Sequence, residues 1–277
     1  MNSRAGEEST RPLVVVTGAA GHVGQLTSQA LAGRYRLRLI DLDWPAGDSQ
    51  DAGDGTERLV LDLSQRSAWD EALRSASAVV HLAGHPYPGI DARTAVDSGA
   101  MLTAHLAAAA TGSGINRIVF ASSIHTLGLY HREAQYPISP QWRPRPCCEY
   151  GAAKVFSENL LEILTERSPV SVACLRLGLT GFPADTADLA SQWLGPRDYA
   201  SLLHASLTIP LKFGTYLGMS GGAAERWDLS GTITDLGFNP TDPTPGPESF
   251  SGEGPAPTHC LMFKTRTLPP PTDQTED

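Results

Sequence analysis

A strand-like run that ends in a glycine-rich turn constrains this chain more than any other feature. Residues 14–24 read V-V-V-T-G-A-A-G-H-V-G, and apolar positions follow at Leu26, Ala30 and Leu31. A short β-branched run, closely spaced glycines and then helical spacing specify a buried strand, a tight turn and a helix. Such a turn aims unsatisfied backbone N–H groups and the positive end of a helix dipole at an anion. Glycine removes the Cβ that would hold a phosphate away. The expected guest is a dinucleotide pyrophosphate, cradled by Gly18, Gly21, His22, Val23 and Gly24.

The next segments agree with that reading. Residues 36–40 alternate into a second strand that stops at Asp41, about twenty residues past the glycines, where a carboxylate can accept both hydroxyls of an adenosine ribose. Asp41 selects NAD over NADP, because a 2′-phosphate about 4 Å from a carboxylate costs roughly 4 kcal/mol at an effective dielectric near 20. A third strand over 58–61 ends at Asp62 and Leu63, which suit an adenine edge, although Asp62 is an equally good cap for a helix starting at Ser64. The fourth strand, 77–82, runs through Leu82 into Ala83 and Gly84, small residues that let a cofactor lie against the backbone. His85, Pro86 and Tyr87 open a loop over the site.

An alanine-rich helix is expected over 94–111, and a fifth strand over 117–121 delivers Ser122 and Ser123 to the carboxyl end of the sheet. An irregular, proline-containing stretch, 124–149, precedes a helix to about Arg167 and a sixth strand over 170–177. Alternating strands and helices specify an α/β fold, a doubly wound parallel sheet of Rossmann type. Four segments are expected: a frayed tail over 1–11, a dinucleotide-binding domain over 12–178, a small substrate lobe over 179–240, and a Pro/Gly-rich tail over 241–277 too poor in apolar residues to pack.

A net charge of −9 offers no electrostatic footprint for nucleic acid. No apolar run approaches the length that crosses a bilayer, and the N-terminus lacks a signal core, so no membrane partner is expected. Cys147, Cys148, Cys174 and Cys260 form neither a metal-ligand spacing nor a disulfide framework, which suits a reducing cytoplasm. They are taken as inert, and no metal is expected.

Tyr150 and Lys154 are four residues apart, on one face of a helix. A phenol with a pKa near 10 is a poor base at neutral pH, and an ammonium one turn away favours its ionised form. The same lysine can hold a nicotinamide ribose, while a serine from strand five orients the oxygen whose proton Tyr150 removes. That is proton abstraction coupled to hydride transfer.

With these residues in place, the chain resembles the extended short-chain dehydrogenase/reductase family of NAD-dependent epimerases and dehydratases. The resemblance spans roughly 14–240 and rests on the glycine signature, H-L-A-G at 81–84, F-A-S-S at 120–123 and Y-x-x-x-K at 150–154. It implies that the catalytic hydroxyl is Ser123, five residues before Gly128. It also implies a homodimer built through the alanine-rich helix and the helix after Tyr150. The stretches F-A-S-S-I-H-T-L-G-L-Y, W-L-G-P-R-D-Y and L-G-F-N-P are similar to uronate dehydrogenases, which implies that His85, Ser123, Ile124 and His125 face the substrate.

Departures from that pattern bear on the substrate. Ile124 replaces an asparagine, and the segment where an arginine pairs with a uronate carboxylate carries Asp185 and Asp188. Arg197 is a candidate replacement cation, although its W-L-G-P-R-D turn favours a solvated surface role. The leading expectation is an NAD-dependent oxidoreductase that removes hydride from an alcohol or hemiacetal carbon of a small sugar-like molecule. Two competitors are an NAD-retaining sugar-nucleotide epimerase or dehydratase and a non-catalytic dinucleotide sensor.

Overall fold

In the computed structural model, residues 11–45, 55–85, 89–250 and 260–262 are described. The expected N-terminal tail up to residue 10, Pro86 and Tyr87 of the loop, and most of the far C-terminus lie outside them. Seven strands form one parallel sheet: β1 (Leu13–Thr17), β2 (Arg36–Asp41), β3 (Thr56–Val60), β4 (Ala78–His81), β5 (Arg117–Ser123), β6 (Ser171–Leu177) and β9 (Phe213–Gly218), in the order β3-β2-β1-β4-β5-β6-β9. A separate parallel pair joins β7 (Leu179–Thr180) to β8 (Trp193–Leu194).

The order reverses between β1 and β4, and that switch point opens a crevice at the carboxyl ends of the strands. β1 and β4 lie at the centre of the sheet, so every residue of both is buried. This explains their continuous apolar sequences. One face of the sheet is covered by a core containing Trp69, Leu106, Phe120 and Leu161. The other packs Leu31, Tyr199, Leu202 and Phe238. Helix α1 (His22–Leu31) follows the glycine turn, and α2 (Ala68–Ala72) and α3 (Ala92–Ala95) follow β3 and β4.

The expected helix over 94–111 is broken into three pieces. α3 is capped by Asp91, whose carboxylate accepts from Thr94 N at 3.0 Å. A π-turn over Val96–Ala100 follows, and then α4 (Met101–Ala110). β5 runs two residues further than its expected end, carrying Ser122 and Ser123 within the strand. The stretch 124–149 contains a 3₁₀ turn, Ile124–Leu127, and α5 (Gly128–Arg132) before α6 (Glu149–Arg167).

The segment 179–240 holds α7 (Ala187–Ala190), α8 (Pro196–Thr208) and α9 (Ser230–Leu236), but β9 within it is the seventh strand of the main sheet. The segment expected as a substrate lobe packed on the dinucleotide-binding domain thus also lends a strand to the main sheet. β9 pairs in parallel with β6, from Val172 with Phe213 to Leu177 with Gly218.

The tail expected to lie unpacked from 241 is also corrected where it is described. Asp242 is buried and accepts from the backbone N–H of Arg197 and Asp198. Cys260 and Met262 join a third core with Ile124, Leu127, Cys147 and Trp227. A few apolar and charged groups hold these residues although the surrounding composition is polar. Among the described residues no helix is long and apolar enough to cross a membrane.

Candidate active site

The glycine turn is shaped by close backbone approaches. Gly18 sits at φ +69°, and a Cβ there would stand 2.9 Å from Ala83 N. A Cβ on Gly24 would overlap the Gly18 carbonyl oxygen, so the helix packs onto the turn because both residues lack side chains. The first N–H groups of α1 have no acceptor within the helix and face the crevice end of the sheet. Thr17 Oγ1 accepts from Leu82 N and Ala83 N, both at 3.2 Å, and pairs with His81 Nδ1 at 2.8 Å. This bridge fixes the ends of β1 and β4 relative to each other. Burial, with the nearby Lys154 charge, pushes the His81 imidazole down to about 3, so His81 is a neutral structural residue.

Asp41 ends β2, and its carboxylate accepts from Ala20 N at 2.9 Å and Leu42 N at 2.8 Å. Its charge therefore stabilises the glycine turn while standing on the crevice wall. Asp62 accepts from Ser64 N at 3.0 Å, and hydrogen bonds from Ser64 hold its carboxyl below the usual range.

A cleft of about 1360 Å³ runs over these groups. It is lined by Gly18, Gly21, His22, Val23, Gly24, Asp41, Asp62, Leu63, Leu82, Ala83 and Gly84 at one end and by His85, Ser123, Ile124, His125, Tyr150 and Lys154 further along. The residues expected to hold the cofactor, carry the chemistry and face the substrate thus line one cleft. Its glycine cradle, helix N-terminus and Asp41 fit a dinucleotide with a free ribose 2′-hydroxyl.

The three polar groups expected to carry chemistry come from two elements. Ser123 ends β5, its hydroxyl accepting from His125 N at 3.2 Å and bonding the Tyr150 phenol. The neighbouring Ser122 points away and donates to buried Glu158 at 2.5 Å. Tyr150 and Lys154 lie on the first turns of α6, with the ammonium 5.5 Å from the Tyr150 ring centroid. Lys154 Nζ donates to Ala121 O at 2.7 Å and stands 4.8 Å from the Phe120 ring centroid.

The expected fall in the Tyr150 pKa is not what this arrangement produces. Burial pushes the phenol up to about 12, against the lowering influence of the Ser123 hydrogen bond. Burial also pushes Lys154 down to about 8, partly offset by the Glu158 charge. Loss of solvent outweighs the attraction between ammonium and phenolate, so at neutral pH the proton stays on Tyr150.

Several lining groups have no motif to announce them. Leu179, Thr180, Phe182, Asp185, Leu189 and Gln192 close the side of the cleft beyond β6. The rule that ligands gather at the carboxyl ends of parallel strands points to this region, but not to individual residues. Gln192 is buried, donates weakly to Asp188 O at 3.3 Å, and among the described residues has no hydrogen-bond partner for Oε1. Asp188 pairs with Arg226 and lies 3.7 Å from His131 Nε2. Arg197, the candidate replacement cation, pairs with Asp242 at 2.5 Å, is 72% exposed and is not on the cleft wall. His22 packs on Phe182 at a centroid distance of 4.4 Å, and Trp227 is a core residue.

A doubly wound sheet with a dinucleotide cradle and a Ser, Tyr, Lys set defines an NAD-dependent oxidoreductase of the extended short-chain type. The chain belongs to the NAD dependent epimerase/dehydratase family, whose profile matches residues 14–180. It is 30% identical to uronate dehydrogenase of Agrobacterium fabrum, covering 93% of this chain and 90% of that one. It is 31% identical to L-arabinose 1-dehydrogenase (NAD(P)(+)) of Haloferax volcanii, over 83% and 96% respectively. A crystal structure of uronate dehydrogenase from Agrobacterium tumefaciens, a tyrosine-to-alanine mutant complexed with NAD, superposes with a TM-score of 0.76 at 28% identity, covering 95% of this chain and 92% of that one.

Proposed function

We propose that this enzyme oxidises the C1 hemiacetal of a neutral aldose rather than that of a uronate. One observation carries the reading: among the described residues lining the cleft there is no arginine, and Asp97 and Asp185 stand on its walls. A substrate carboxylate brought within about 5 Å of either would meet a repulsion of roughly 3 kcal/mol at an effective dielectric near 20. Gln192 lines the cleft, and its buried Oε1, without a partner among the described residues, would accept from a sugar hydroxyl once the amide turns toward the cleft, a contact that requires no charge.

NAD, when bound, accepts the hydride. The chain's residues manage the proton and the orientation. Ser123 donates to the substrate oxygen and holds it against Tyr150. Tyr150, a phenol in the free protein, must first release its own proton to solvent, and the phenolate then takes the proton of the substrate hydroxyl as the hydride leaves. Lys154 keeps a positive charge beside it and is placed to bind the nicotinamide ribose. His85, Ile124 and His125 shape the substrate end, and Gly18 to Gly24, Asp41, Asp62, Leu63 and Leu82 to Gly84 hold the cofactor.

The experiment is an initial-rate comparison of NADH formation with L-arabinose, D-glucose and D-galactose against D-galacturonate and D-glucuronate, all under the same conditions. A higher kcat/KM for a neutral sugar than for either uronate is expected. Preference for a uronate overturns the reading.

A homodimer is part of this proposal. Val96 and Met101 on the π-turn and α4, with Phe156 and Ile163 on α6, are apolar yet 42–52% exposed. These are the two helices that the family resemblance assigns to dimerisation, and burying such a face supports association. Light scattering should give twice the chain mass, and Phe156→Glu should give the monomer. The cytoplasm, with its NAD pool and reduced thiols, is the compartment that suits such an enzyme.

A further inference from the structure

Beside the catalytic helix lies a group of side chains that hydride transfer does not use. His125, Cys147, Cys148 and Cys260 offer one ring nitrogen and three sulfurs that all lie within 4.8 Å of one another. His125 Nδ1 is 3.2 Å from Cys147 Sγ, 3.6 Å from Cys148 Sγ and 3.3 Å from Cys260 Sγ, and Cys147 Sγ is 3.5 Å from Cys260 Sγ. A tetrahedral zinc ion with Zn–S bonds of about 2.3 Å and a Zn–N bond of about 2.0 Å has S···S edges near 3.8 Å and S···N edges near 3.5 Å. Four of the six pairs already stand near that spacing, and all six lie within 4.8 Å. We propose that His125, Cys147, Cys148 and Cys260 form a four-coordinate site for zinc or a similar thiophilic divalent cation.

The surroundings support this. Cys147 and Cys260 are buried, and neither is in a disulfide. Met262 N donates to Cys260 Sγ at 3.4 Å, an N–H···S contact that stabilises a thiolate more than a thiol. Four protein ligands leave no open position, so the site is structural rather than catalytic.

Its placement gives it a purpose. His125 follows Ser123 on the 3₁₀ turn, Cys147 and Cys148 precede α6 and Tyr150, and Cys260 comes from the far C-terminal segment. Leu261 N also donates to Cys147 O at 3.1 Å, so that segment already docks through its backbone. A metal here would clamp the serine end of the site to the tyrosine helix. With Nδ1 ligated, the His125 ring carries its proton on Nε2 and becomes a fixed donor on a ring that lines the cleft.

Metal content tests this without reference to any substrate. The full chain, purified with zinc supplied and then passed over a weak chelator, should retain about one zinc per chain by mass spectrometry. Cobalt-loaded protein should show the intense visible bands and near-ultraviolet charge transfer of tetrahedral thiolate coordination. Cys260→Ala and His125→Ala should lose the metal, while Cys174→Ala, outside the cluster, should retain it. Circular dichroism and NAD binding establish that each variant is folded. Folded wild-type protein that retains no zinc, or an octahedral cobalt spectrum, overturns the proposal. Retention of the metal by folded Cys260→Ala and His125→Ala overturns it equally.

Discussion

Arg176 on β6 and Glu158 on α6 form a two-pronged ion pair, with guanidinium nitrogens 2.9 and 2.7 Å from the carboxylate oxygens and both side chains 4% exposed. Ser122 donates to the same carboxylate, and Arg176 also donates to Pro140 O at 2.8 Å. Glu158 lies one turn beyond Lys154, so this pair ties the helix bearing Tyr150 and Lys154 to β5 and β6. Removing one partner leaves the other buried and unpaired. Glu158→Ala should cost about 3–5 kcal/mol in urea denaturation, whereas the double variant Glu158→Leu with Arg176→Met should lose less than that single change.

Tyr150→Phe keeps the ring and removes the proton acceptor. Turnover should fall by about 10²–10⁴, the usual contribution of a positioned acid or base, while NAD affinity changes little. Stopped-flow fluorescence separates the two effects. Full turnover in this variant would remove Tyr150 from the mechanism.

How much of this was legible beforehand depended on the range over which each feature acts. The glycine turn, Asp41 and the Tyr150–Lys154 spacing are local signals, since each is set by residues within one turn or one strand end. The sheet membership of β9, the docking of Cys260 and the Glu158–Arg176 pair depend on contacts between distant segments, and no short pattern encodes them. Gln192 shows the same limit. It is buried beside the pairing of β7 with β8, where Leu179 N donates to Gln192 O at 2.8 Å, and a two-residue strand does not announce itself in sequence. The Tyr150 shift runs against its spacing for a related reason: spacing gives the distance to a charge, but not the depth of burial that outweighs it.

Asp41 accepts two backbone N–H bonds and stands where the adenosine ribose is expected. Asp41→Ala should therefore raise KM for NAD by about tenfold or more, since a hydrogen bond to a charged group contributes about 1.5–3 kcal/mol. It should also narrow the preference for NAD over NADP, because the repulsion of a 2′-phosphate is gone. Initial rates with both cofactors check this, and an unchanged NAD-to-NADP ratio would locate cofactor selection elsewhere.

Gln192→Leu replaces an amide whose Oε1 has no partner among the described residues with an apolar group of similar size. If Oε1 meets a sugar hydroxyl, KM for that sugar should rise about five- to tenfold, the loss of one neutral hydrogen bond, with NAD kinetics unaffected. A change confined to NAD would place Gln192 at the cofactor instead.

Lys154 makes the site less stable than it would be without it. Its pKa falls from 10.5 in the free side chain to about 8 in the folded protein, chiefly through burial. Below pH 8 both the folded and the unfolded chain carry the proton, and the full cost of burying an ammonium, about 3 kcal/mol by linkage, is present. Between about 8 and 10.5 the unfolded chain holds more proton than the folded one, so the cost declines as pH rises. Lys154→Met should accordingly be inactive yet more stable than the parent at pH 7 by up to about 3 kcal/mol, with the advantage shrinking between pH 8 and 10. Tyr150, pushed up to about 12, acts in the opposite direction at higher pH, but it is present in both proteins and cancels in the difference. Thermal melts of the two proteins across this range provide the measurement. A constant difference would show that the folded lysine titrates near its ordinary value and that its burial is relieved by solvent in the cleft.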